Sequence, residues 1–163
     1  MRKLFFLTCL CSILCGCISN NSVFNQAKNM VHNGEAECVV IKDNSIVATA
    51  KGRGISPLLN LYDEKGELLQ GSIIVDKVIG RAAAFITIKS GAVQVYGKIM
   101  SEDALMLLNE HKIKASYNLL VPRILNNQKN GLCPLEDSVE GIVSPDDAIG
   151  AMRQRIIELR KGK

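Results

Sequence analysis

Cys133, Pro134 and Glu136 form the group with the clearest chemical potential in this chain. With Cys133 as N-cap and Pro134 at the first helical position, the thiol would lie on exposed helix amides, which favour thiolate. Glu136, three residues on, would then serve as acid or base to a Cys133 nucleophile. The same spacing fits a capping box in which Glu136 reaches back to the N-cap amide. A third reading pairs Cys133 with Cys38 in a disulfide, which suits an oxidising compartment. All three stay open from sequence.

The other thiols belong to the N-terminus. Arg2 and Lys3 precede an apolar run from Leu4 to Leu14, too short for a bilayer, which takes about 20 residues. The order of a basic start, an apolar core and small residues is that of a secretory signal. Leu14-Cys15-Gly16-Cys17 resembles a bacterial lipobox, implying a signal peptide over 1–16 and a lipid (diacylglycerol and a fatty acyl chain such as palmitate) on Cys17. Residues 17–22 then read as a tether and 23–163 as one domain. The expected setting is the periplasmic or outer face of a bacterial membrane, reached through that lipid. If the start site is misassigned, the protein is cytoplasmic.

Removing the leader would leave Cys38 and Cys133 as the only unmodified thiols. His32 and His111 are the only histidines and no Cys-x-x-Cys occurs, so no metal site is expected. The net charge of +4, two of it in the leader, is too small for a nucleic-acid footprint. A hydrophobic fraction of 47% and a charged fraction of 22% are those of a globular chain. No cofactor is implied.

Periodicity supplies the frame. Val23 to His32 has helical spacing. Cys38–Ile41 and Ile46–Ala50 are β-rich runs joined through Asp43-Asn44, a hairpin signal. Ser56 before Pro57 predicts the start of a helix to about Glu64. Asp76 predicts the cap of a largely apolar helix from Lys77 to about Ser90. Ala92–Met100 and Lys114–Leu120 read as strands, with Ser101 capping a helix to about Glu110 between them. Pro122–Asn126 reads as a helical turn. Ser144-Pro145-Asp146-Asp147 opens the last helix. Strands alternating with helices imply an α/β three-layer α/β/α sandwich with a mixed sheet.

Several strings go further. Cys38-Val39-Val40, Arg53-Gly54-Ile55 with Pro57-Leu58-Leu59, Asp76-Lys77-Val78-Ile79-Gly80-Arg81-Ala82-Ala83-Ala84-Phe85 and Gly131-Leu132-Cys133-Pro134-Leu135-Glu136 together resemble the domain-of-unknown-function family DUF1893. The resemblance runs from about Val23 to Leu159 and implies a cytidine-deaminase-like fold. Zinc deaminases carry His-Ala-Glu and Pro-Cys-x-x-Cys at the starts of two core helices. By element order those places fall near Gly80–Ala84 and Met100–Ala104, where the ligands are missing, so zinc-dependent deamination is not expected.

What the frame leaves is a meeting of two helix N-termini beside strand ends, suited to an anion. Arg81 and Ser101 are the candidate ligand-binding residues there, with Asp76 and Lys77 nearby. Asp76 is equally a structural partner for Arg81. Arg53, between Gly52 and Gly54, is a weaker candidate. The expectation is a metal-free, lipid-anchored binder of a small anionic or nucleotide-like ligand. The alternatives are a Cys133-dependent enzyme or self-modifying thiol protein, and a structural or partner-binding lipoprotein whose protein partner the sequence leaves open.

Overall fold

The computed structural model describes residues 15–162, with side chains from Ser22 onward. The expected signal segment therefore lies almost wholly outside the described residues. Helix α1 spans Cys15–His32, so the stretch read as a tether is helical backbone continuous with the first helix. No helix among the described residues is long and apolar enough to cross a membrane.

A five-stranded sheet forms the middle layer. Strands β1 (Cys38–Lys42) and β2 (Ser45–Ala50) make the expected hairpin. Asp43 and Asn44 both take positive φ, 49° and 57°, as a two-residue turn matched to strand twist requires. Strands β3 (Ile73–Ile79), β4 (Gln94–Ser101) and β5 (Lys114–Val121) complete the order β2-β1-β3-β4-β5. β1 is antiparallel to both its neighbours, whereas β3, β4 and β5 are parallel. The sheet is mixed, as expected.

Strand β3 corrects the sequence reading. Asp76 does not cap a helix but pairs with Cys38 on one side and Gly97 on the other, inside the sheet. The β-branched Ile73, Ile74, Val75, Val78 and Ile79 favour a strand between two partners. Helix α3 (Arg81–Lys89) starts only after Gly80, its N-cap.

Helix α2 (Ser56–Leu69) is capped by Ile55, not Ser56, and continues through a non-helical Lys65 beyond the predicted end. Helix α4 (Glu102–Glu110) is capped as predicted, the Ser101 hydroxyl accepting from the Ala104 amide at 3.2 Å. Pro122–Asn126 is not helical. The loop instead folds back through a bridge between Leu125 and Leu132, then forms the one-turn α5 (Pro134–Asp137). Helix α6 (Pro145–Lys161) is capped by Ser144.

The sheet has a core on each face. On one face α2, α3 and α4 pack down, with α6 against α3. Ala82, Ala83 and Ala84 let α3 approach the strands closely, and Phe85 and Ile86 beside them are fully buried. Burying Phe85 alone is worth about 1.5–3 kcal/mol relative to leaving it exposed. On the other face α1 lies over β1, β3 and β4, burying Ala27 and Val31 against Val39, Val75 and Tyr96. His32 Nε2 meets the Tyr96 hydroxyl at 2.7 Å, and Lys98 donates to the His32 carbonyl. Phe24, nearer the start of α1, shares a groove with Ile73 and Gln94, the first residues of β3 and β4.

Candidate functional site

The parallel strands β3 and β4 both end at helix starts, Gly80–Arg81 and Ser101–Glu102, so the two N-termini do converge. Three of their first-turn amides, those of Arg81, Ala82 and Ala104, are already served. Glu136, from α5, accepts the Arg81 amide on Oε2 at 2.7 Å and the Ala82 amide on Oε1 at 3.1 Å. Ser101 serves α4 with its own hydroxyl. A carboxylate at a helix N-terminus satisfies donors and complements the dipole. The sequence reading missed this role for Glu136, and its capping-box alternative is not what forms. Cys133 is the N-cap of α5, yet its side chain makes no capping bond.

Glu136 stands between two clefts and lines both. The first, about 280 Å3, is walled by Arg81, Ser101, Asp103, Arg123, Glu136 and Glu140. Here the Arg81 Nη2 donates to the Ile142 carbonyl at 2.7 Å and the guanidinium lies 5.2 Å from the centre of the Phe85 ring. Its Nε is buried and has no hydrogen-bond partner among the described residues. Arg123 forms an exposed ion pair with Glu140 at 3.4 Å. Burial pushes the Glu136 carboxyl above its ordinary range, and Asp103 adds to the rise. The Ala82 and Arg81 amides and the Arg81 charge oppose it.

The second cleft, about 270 Å3, holds Asp76, Lys77 and Cys133 together with Glu37 and apolar walls from Ile55, Val78, Ala83 and Leu125. Asp76 is not the partner of Arg81. Its Oδ1 accepts from the Val78 amide at 2.9 Å, and Cys38 lies beside it as its partner across β1 and β3. Desolvation raises the Asp76 pKa from 3.8 to about 7, with the Val78 amide and Cys38 thiol pulling it down. Burial, and then the neighbouring Asp76, push the Cys38 thiol well above its usual value. Lys77 is paired with Glu37 at 3.0 Å.

Cys38 is buried and Cys133 half-buried, and both are free thiols. Arg53 lies apart from Arg81 and Ser101. It is exposed and lines an open groove with Ser56, Cys133 and Arg160. Among the described residues no three His, Cys, Asp or Glu side chains gather as a metal site would require. The structure thus brings Arg81, Ser101 and Glu136 to one cleft, and Asp76, Lys77 and Cys133 to the other. Arg123, Glu140 and Glu37 carried no signal in the sequence, because loop folding and strand pairing place them.

The frame now has a family. A model for a domain of unknown function, DUF1893, matches residues 26–156, and the chain belongs to that family. A solved DUF1893 protein from Thermotoga maritima is similar over 82% of this chain and 90% of its own, with a TM-score of 0.74 and 24% identity. Other similar structures are more distant. RibD from Acinetobacter baumannii has a TM-score of 0.47 at 14% identity, covering 61% of this chain and 35% of its own. A dCMP deaminase from the cyanophage S-TIM5 has a TM-score of 0.44 at 12% identity, covering 60% and 95%. No curated protein matches the sequence.

Proposed function

We propose that this DUF1893 protein is a binding domain for a small anionic, nucleotide-like ligand, exported and held at a bacterial membrane by a lipid on Cys17. The Arg81 cleft is the seat for the anionic group. The observation that carries this reading is the Arg81 guanidinium: one end is held by the Ile142 carbonyl while Nε has no partner among the described residues. A buried donor without an acceptor costs about 1–3 kcal/mol, which leaves the guanidinium under-satisfied beside the cleft that Arg81 lines. Arg123, only loosely paired, supplies a second positive charge across the cleft.

A Cys133-centred enzyme has less support, because the Glu136 carboxylate is engaged by two amides of α3. Export and anchoring rest on Arg2, Lys3, the apolar run and Leu14-Cys15-Gly16-Cys17.

Calorimetric titration with nucleoside monophosphates and inorganic phosphate tests the binding reading. Saturable binding is expected, weakened by roughly tenfold or more in Arg81→Ala, since hydrogen bonds to charged groups are worth about 1.5–3 kcal/mol. Absence of binding, or equal binding by the variant, refutes it.

A further inference from the structure

The second cleft poses an electrostatic problem that the Arg81 reading does not solve. Asp76 is only 8% exposed and sits in the central strand β3. Its polar neighbours, the Val78 and Lys77 amides and the Cys38 thiol, carry no positive charge. The nearest lysine in sequence, Lys77, is paired with Glu37, and no ion pair among the described residues includes Asp76. An uncompensated buried carboxylate costs several kcal/mol, so stability gives no reason to place one here. A desolvated titratable group lining a cleft is a candidate functional group.

The cavity beside it sets the occupant. At about 270 Å3 it lies just under the roughly 300–1,000 Å3 of drug-sized pockets, so the occupant is compact. Ile55, Val78, Ala83 and Leu125 give apolar walls, the Glu37–Lys77 pair carries no net charge, and Glu136 is taken up by the α3 amides, so Asp76 is the carboxyl left for an occupant's charge. We propose that this cleft binds a compact organic cation, of the amidinium or guanidinium class, whose charge pairs with Asp76 and whose flat apolar body lies against those walls. The pairing replaces the missing counter-charge, and two parallel N–H donors match a carboxylate.

The raised Asp76 pKa, about 7, agrees with this. The carboxyl is roughly half protonated at neutrality and gives up that proton to solvent when a cation arrives. The other titratable groups facing Asp76 are Cys38 from β1, Lys77 from β3, Glu37 ahead of β1, and Glu136 and Cys133 from the α5 turn. This cleft shares the Glu136 wall with the Arg81 cleft, but the pairing rests on Asp76, so failure of nucleotides to bind at Arg81 does not decide it.

Benzamidine is the probe, with neutral benzamide and anionic benzoate as controls. On the intact domain, benzamidine is expected to raise the melting temperature, release protons near neutral pH and slow iodoacetamide labelling of Cys133, with benzamide at least roughly tenfold weaker. Asp76→Asn should remove that preference, while Leu125→Ala, on the exposed wall, weakens both probes alike. Equal affinity for benzamidine and benzamide, no binding of benzamidine, or full retention of its affinity by Asp76→Asn overturns the proposal. If Asp76→Asn fails to fold, the amidine–amide comparison on the native protein still decides.

Discussion

The Glu136 carboxylate occupies the space that a side chain at Gly80 would need. A Cβ built on Gly80 collides with all three carboxyl atoms of Glu136. The glycine is required by that close approach and not by its backbone, since φ of −96° suits any residue. Gly80 and Glu136 are therefore one device, in which the strand end stays bare so that a distant loop can cap α3.

Gly80→Ala should push Glu136 off the α3 amides and cost about 1–3 kcal/mol, the range for leaving buried donors unpaired. Glu136→Ala should cost a similar amount. The double variant should lose clearly less than the sum, because both changes break the same contact. Urea denaturation of the four proteins checks this. Simple additivity would mean that the two residues do not act together.

Asp76 predicts a pH dependence of stability. Its pKa is higher in the folded protein than in the unfolded chain, so the folded state binds the proton more tightly. The Asp76 contribution to stability is then greatest below about pH 4, falls as pH rises towards about 7, and levels off above. The loss is at most about 4 kcal/mol, from roughly three pKa units at 1.36 kcal/mol each. Asp76→Asn should lack this fall, so the variant gains on the parent between acid and neutral pH. Glu136 shifts the same way but is common to both proteins. Parallel stability curves would contradict the assignment.

The two thiols should separate by reactivity. Cys38 is fully buried, and burial and Asp76 hold it as the neutral thiol. Iodoacetamide should label Cys133 in the native protein and reach Cys38 only after denaturation. Peptide mapping with and without denaturant reads this directly, and native labelling of Cys38 would count against the packing described.

Intact mass analysis of protein extracted in detergent tests the anchor. The expected product begins at Cys17 and carries a diacylglycerol thioether with a further acyl chain. A mass matching the chain from Met1 without lipid would remove export and anchoring from the proposal.

Local grammar made much of this fold legible. Ser101 and Ser144 announce their helices because an N-cap is a contact across three residues. Asp43-Asn44 announces the hairpin because few residues tolerate two successive positive φ values. Asp76 misled for the same reason. It is a good helix cap in isolation, and only pairing with Cys38 and Gly97 makes it a strand residue. The apolar run of β3 passes into the apolar α3 with only Gly80 between them, so periodicity alone cannot find the border. The site was half legible. Arg81 and Ser101 follow from helix starts, but the hold of Glu136 on α3 spans a loop whose path is set by the Leu125–Leu132 bridge. No spacing rule reports such a contact.

The lie of α1 decides how the domain would meet a surface. Phe24 sits by the first residues of β3 and β4, whereas both clefts open where those strands finish, at Gly80 and Ser101. A lipid at Cys17, seven residues before Phe24 and so about 10 Å away along the helix, would grip the domain by the pole opposite its openings. Both mouths would then look into the aqueous space, and solutes would enter by diffusion from there without first partitioning into the bilayer.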